Sequence, residues 1–387
     1  MRITFLLTFA VFLLSSCKYA TNDDGSREME FVLVDSLVFD ELETLIILDY
    51  DHDKELYLTV KKLSMEGKYS LINSGGEKVA ENFLSEGPDA FGLVLHRAGF
   101  VGDEIMFVSD QTIFMYDLDL KQLRKFPFTQ ESRVKLIHFT LDFLSTYSMD
   151  GQVMAVANLS DSYLQPYPED YYDTLNLAHL VNPLTGEVTK GGKLDQSSKL
   201  THGRFFPFMD KPVYFSDKNS NYISAIFSGD SVLYQLDPRK GFEAANKISF
   251  NRLSPDNILD VPMSQASYTT VKQHRSENAS LGGAFKNILG KGDKFIVEYQ
   301  TGADPEVYWE KPTPENLDAI KNSRKLYYYP IEDGKTVAPP IAWERPGKLI
   351  LNVGENRFLQ YADQAEIHDF EKDYQCYYIY ELKEREG

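Results

Sequence analysis

Between Glu104 and Phe128 the chain runs through three short apolar–polar stretches separated by turns: Glu104-Ile-Met-Phe-Val-Ser-Asp110, Thr112-Ile-Phe-Met-Tyr-Asp-Leu-Asp119 and Gln122-Leu-Arg-Lys-Phe-Pro-Phe128. Each has the length and the aromatic or β-branched content of a strand. The triplet returns at Tyr222–Ser228, Ser231–Pro238 and Ala245–Phe250. Weaker pairs occur at Glu55–Val60 with Lys68–Ile72, and at Gln152–Ala157 with Leu175–Val181. Two more lie at Lys294–Tyr299 with Lys325–Tyr329, and at Arg357–Tyr361 with Cys376–Glu381. A further run precedes each copy and can serve as its innermost strand: Leu45–Leu48, Val94–Val101, Phe139–Tyr147, Arg204–Phe215, Ala284–Leu289 and Leu349–Val353.

Four antiparallel strands repeated six times predict an all-β chain folded as a six-bladed β-propeller. The last copy ends at its third strand, with only Lys383–Gly387 beyond it. Glu30–Val38 can supply the fourth, so the N-terminal strand is expected to close the last blade and bury two sheet edges. Copies 3 and 5 depart most from a regular blade. Pro314–Ser323, with proline at its start, is the best candidate for a helix.

Strand direction alternates within a blade, so the B–C loops and the D–A junctions (last strand of one blade to first of the next) share one face. The long connections Leu159–Thr174, Thr301–Arg324, Asp363–Tyr374 and Asn251–Gly283 all fall there, whereas Asp117–Lys121 and Asp237–Gly241 are tight turns on the other. Loops elaborated on one side of a rigid scaffold mark a working surface. His96, Arg97, His138, His202, Arg204, His274 and Arg275 all lie in these junctions or at the starts of innermost strands, and are expected at the channel mouth. Histidine–arginine pairs there suit a carboxylate or sulfate, and three converging histidines would suit a divalent metal. Each histidine alone also reads as a partner for a nearby carbonyl. Tyr167, Tyr171 and Trp309 put amphipathic rings on the long loops, suited to sugar stacking, to protein contact or to packing on their own blades. Asp49-Tyr-Asp-His-Asp53 has alternating carboxylates, but Lys54 replaces the turn glycine of a calcium loop, and it reads as a charged solvent turn.

Enzyme signatures are missing: there is no phosphate-binding glycine loop, HExxH or Gly-x-Ser-x-Gly. The sequence calls for no cofactor and assigns no catalytic or metal residue. A net charge of −18 makes nucleic acid and anionic lipid headgroups poor partners. With 24 Tyr and 25 Phe the chain favours sheet. Its two cysteines, Cys17 and Cys376, allow no disulfide framework, and Cys376 reads as a small buried hydrophobe on a strand.

At the N-terminus, Arg2 and an apolar run from Ile3 lead to Leu14-Ser-Ser-Cys17, a bacterial lipobox. Residues 1–16 are thus expected to be a lipoprotein signal peptide, with Cys17 carrying acyl chains. Residues 17–28 form a polar tether and residues 29–387 a single propeller domain. The acidic Asp23-Asp24 just after the cysteine is similar to a surface-export signal of Bacteroidota lipoproteins, the alternative being retention on the periplasmic side. Together the lipobox, the Glu86-Gly-Pro-Asp-Ala-Phe-Gly92 junction and the Ile-Phe-Met-Tyr-Asp strand ends resemble a Bacteroidota family of six-bladed propeller lipoproteins of unknown function. The resemblance implies architecture and an outer-membrane address, and it carries no catalytic residues. The expected function is a cell-envelope binding module for a glycan, peptide or partner protein. The alternative is a polysaccharide hydrolase or lyase using histidine and arginine near the channel.

Overall fold

The structure, a computed structural model, describes residues 27–61, 67–92, 97–109, 112–127, 142–157, 169–207, 209, 212–253, 258–310, 314–362, 367 and 372–385. Six antiparallel blades stand around a central axis as a β-propeller. Their innermost strands are Leu45–Asp51, Arg97–Val101, Ser145–Met149, Pro212–Phe215, Ala284–Lys291 and Lys348–Asn352. The ring closes as expected. Met29–Phe39 forms the outer strand of blade 6, antiparallel to Gln375–Glu384, with Met29 opposite Glu384 and Phe39 opposite Gln375.

Blades hold each other through their apolar faces. Six hydrophobic clusters are seen among the described residues, one at each blade-to-blade interface. Leu58 and Leu71 of blade 1 meet Ile105 and Phe107 of blade 2, and Ile226 and Leu233 of blade 4 meet Phe285 and Val297 of blade 5. Leu45 and Ile47 of blade 1 meet Leu359 and Tyr377 of blade 6. At about 1.5–3 kcal/mol for each fully buried large side chain, these interfaces dominate the stability of the ring. The closing strand is fixed the same way. Phe31 sets its ring edge-to-face against Tyr328, Trp343 and Phe358 at 5.5, 5.6 and 6.1 Å. Arg345 lies over Trp343 and Tyr380 and donates to the Phe31 carbonyl at 2.9 Å.

Blades 3, 4 and 5 depart from the sequence-based expectation. In blade 3 the innermost strand starts only at Ser145, and Asp142–Phe143 instead pairs in parallel with Arg97–Ala98 of blade 2. Val188–Gly191 is its outer strand, a run with too few apolar positions to show in the pattern. The expected strand Arg204–Phe215 is two pieces: Pro212–Phe215 enters blade 4, while Arg204–Phe205 pairs with Val261–Pro262 above it. The outer strand of blade 5 is split into Lys335–Thr336 and Ile341–Trp343. Pro314–Ser323 is a helix as expected. A 14-residue helix, Tyr268–Leu281, was not foreseen. It is nucleated by a Ser267/Thr270 capping box and tied down by the fully buried Asn278, which donates to the Pro207 and Leu259 carbonyls at 2.8 and 2.7 Å.

Candidate functional site

The innermost strands expose one edge to the axis, so their unpaired backbone groups need partners. Neighbouring blades supply some of them. Ser216 Oγ donates to the Thr146 carbonyl at 2.6 Å, and the Thr146 N–H donates to the Ser216 carbonyl at 3.1 Å. Asp49 Oδ2 accepts from the Phe100 N–H at 2.7 Å, joining blade 1 to blade 2. Gly99 makes room for this carboxylate, since a Cβ there would lie 2.6 Å from Asp49 Oδ2. Three of the six strands also carry an extra residue: Leu48, Lys286 and Ile350 sit at register shifts in blades 1, 5 and 6. Such bulges re-aim side chains, and Lys286 faces the axis.

These strands enclose a central cavity of about 880 Å³. In a chain of net charge −18 its wall nevertheless carries five cations: Arg97, Lys218, Lys286, Lys291 and Lys348. The four wall carboxylates are Asp49, Asp51, Asp53 and Asp217. They stand toward the face of the tight A–B turns, where most are consumed internally. Asp51 accepts from the Asp53 and Lys54 N–H groups at 2.9 and 3.1 Å and pairs with Lys54 Nζ at 2.8 Å. Asp217 accepts from the Gly292 N–H at 2.8 Å, stitching blade 4 to blade 5. Asp53 of blade 1 pairs with Lys218 of blade 4, directly across the ring, and that contact holds its carboxyl below the usual range. The tight-turn mouth is therefore bridged. Burial lowers the His52 pKa there, helped by the positive charge of Lys291. Burial pushes Asp49 up to about 7, against the opposing effect of its hydrogen bonds from Phe100 and Tyr50.

Several buried polar groups in or behind the wall lack hydrogen-bond partners, a state native interiors rarely tolerate. Both amide atoms of Asn352 are unpaired, as is the Tyr214 hydroxyl. Asn352 and Tyr214 line the cavity and are 5% and 7% exposed. Behind the wall lies Glu298, with one carboxyl oxygen unpaired.

The sequence-predicted residues end up in different places. Arg97 lines the cavity, its guanidinium 5.9 Å from the centre of the Tyr214 ring. His202, Arg204, His274 and Arg275 do not reach the channel mouth, contrary to expectation, because junctions 191–212 and 249–284 fold into a cap over blades 3 and 4. Arg204 is held there by Asp260, His274 lies 3.2 Å from Glu277 on the same helix, and His202 is exposed. Tyr171 is core: it packs edge-to-face on Tyr172 at 5.0 Å, within the cluster that contains Phe205 and Met263. Trp309 is 64% exposed on the short helix Pro305–Trp309, with Tyr308 as its ring neighbour. His96, His138, Tyr167 and Cys17 lie outside the described residues. Among the described residues no three His, Cys, Asp or Glu side chains are grouped to hold a metal. Of the histidine–arginine set behind the hydrolase or lyase alternative, only Arg97 among the described members is at the channel.

Asp49–Asp53 was misread as a solvent turn: Asp49–Asp51 is strand, and the segment forms part of the channel wall. Lys286, Lys348, Asn352 and Tyr214 were missed. Their signal is a polar residue, or a tyrosine hydroxyl, within an otherwise apolar innermost run.

No protein-family model matches the sequence, and neither does any curated protein. Among solved structures, a member of the DUF4221 family from Bacteroides vulgatus superposes with a TM-score of 0.64 at 11% identity, over 93% of this chain and 100% of that one. A protein of Bacteroides fragilis described as exported gives 0.50 at 11% identity, over 95% and 98%. The likeness to Bacteroidota propellers of unknown function is thus a likeness of fold along nearly the whole chain.

Proposed function

We propose that this chain is a lipid-anchored envelope module that binds a small polar ligand in its central channel, reached from the face of the long loops. The observation that carries this is the channel itself. Its volume of about 880 Å³ falls within the roughly 300–1,000 Å³ typical of small-molecule sites. One mouth is bridged by Asp53 and Lys218, and unpaired polar groups sit in the wall. A rigid ring bound by six apolar interfaces is preorganised, so little ordering cost is left for binding. The lipobox ending at Cys17 supports an outer-membrane address, as does the exported description of the Bacteroides fragilis neighbour. The negative net charge speaks against nucleic acid as a partner.

Titrating the purified chain with a panel of short glycans and peptides, followed by calorimetry, tests the binding role. Saturable binding at one site per chain is expected. Flat isotherms for the whole panel up to millimolar concentration would overturn it. For the anchor, Cys17→Ala is expected to move the protein from the membrane fraction to the soluble one. Retention of the variant on membranes would refute lipidation at this residue.

A further inference from the structure

The hydrogen bonding that the channel wall leaves unmet belongs to neutral groups. Two lining residues carry buried side-chain polar atoms without a partner: Asn352, with both amide atoms, and Tyr214, with its hydroxyl. Each residue is more than nine-tenths buried. Asn352 ends the innermost strand Lys348–Asn352 of blade 6, and Tyr214 is third in Pro212–Phe215 of blade 4. Both therefore stand in the half of the channel nearer the tight turns. Asp49 stands there too, in the later part of its strand on blade 1, whose innermost strand packs beside that of blade 6. Its carboxyl accepts from the Tyr50 and Phe100 N–H groups at 2.8 and 2.7 Å, which leaves capacity for about two more donors. The charges around these groups come in both signs and are already engaged. Asp51 pairs with Lys54 and Asp53 with Lys218, and Lys291 adds positive charge near Asp53.

Such groups select a ligand by type. The Asn352 amide calls for one donor and one acceptor side by side. A carboxylate cannot donate to its Oδ1, an ammonium cannot accept from its Nδ2, and a single trans peptide group points its donor and acceptor to opposite sides. Two neighbouring hydroxyls meet the demand, since each can donate or accept. Burial raises the Tyr214 pKa, so its hydroxyl keeps its proton and can donate to a third oxygen. Resting on the binding role proposed above, we infer that the tight-turn half of the channel is a subsite for a neutral sugar, with vicinal hydroxyls on the Asn352 amide and further ones on Asp49 and the Tyr214 hydroxyl. Tyr50 and Phe100 in the same wall offer apolar ring surface to the sugar's C–H groups. The Asp53–Lys218 bridge closes the mouth beneath it.

The test is calorimetry on the full chain with the neutral disaccharides galactobiose, mannobiose and cellobiose, against digalacturonate and N-acetyl-triglycine amide. At least one neutral sugar is expected to bind about tenfold or more tighter than the acidic sugar and the peptide, with little change as salt rises. Tyr214→Phe and Asn352→Leu should each weaken that sugar about tenfold. Each variant removes an unpaired buried polar group, so the urea midpoint of the free protein should stay level or rise. Tyr214→Phe deletes a single oxygen, which covers the case in which Asn352→Leu fails to fold. Affinity for digalacturonate or the peptide that equals or exceeds that for every neutral sugar would overturn the sugar assignment and leave channel binding standing. Full retention of sugar binding by either folded variant would overturn the placement. So would a lowered urea midpoint in Tyr214→Phe, since its hydroxyl would then already be paired. Binding of no probe at all overturns both readings.

Discussion

The same six strands build both ends of the channel, yet the ends do different work. At the tight-turn end the charges are spent on the fold: Asp51 on its own turn, Asp217 on blade 5, Asp53 on Lys218 across the ring. At the long-loop end the wall carries Arg97, Lys286 and Lys348. A propeller must satisfy the inner edges of its blades somewhere, and the tight-turn mouth is one place where it does so.

Three perturbations would break or sharpen this contrast. The largest effect is expected from Asp49. Its carboxyl titrates near 7 in the folded chain and near 3.8 in an unfolded one, so the native state holds the proton more tightly. The stability it contributes is full below about pH 4 and is lost as pH rises toward 7, an effect on the order of 4 kcal/mol. In Asp49→Asn, urea midpoints measured from pH 4 to pH 8 should lose that slope. An unaltered slope in the variant would show that Asp49 is solvated. Gly99→Ala should come next: its Cβ would meet Asp49 Oδ2 at 2.6 Å and Leu144 Cβ at 2.8 Å, and overpacking of this kind costs about 1–3 kcal/mol. A urea midpoint equal to that of the parent chain would mean that the wall yields there. The smallest effect belongs to Asp53→Ala. Both partners of its ion pair are largely exposed, and pairs of that kind contribute little, so no measurable change in stability is expected. A clear loss would make the cross-ring bridge a structural strut.

Much of this architecture was legible in the sequence because propeller strands alternate with period 2 and recur at a near-constant spacing. The donated strand was legible by counting: a sixth copy with three strands needs a fourth. What escaped notice has physical reasons. Tyr268–Leu281 has few apolar residues, chiefly Val271 and Leu281, and is held by the polar Asn278, so no hydrophobic stripe announces it. The cap that withdraws Arg204 and His274 from the channel depends on contacts between junctions dozens of residues apart. Asp49 looked like turn material because carboxylates are rare in strands, and its acceptance rests on Gly99 in the next blade. Lys286 faces the axis because of a bulge, and bulges leave no mark in a period-2 pattern.

The donated strand also sets a timetable. Of the described strands of the ring, Met29–Phe39 is synthesised first and its partner, Gln375–Glu384, last. Pairing the two ends of so long a chain is slow, because loop closure must be met before the contact repays it. Until then the early strand waits with Phe31, Leu33, Val34, Leu37, Val38 and Phe39 unprotected, a run well suited to pairing with the wrong neighbour. A chain that stops before Gln375–Glu384 would therefore leave an open ring with bare edges, and Met29–Phe39 is the strand most in need of a chaperone.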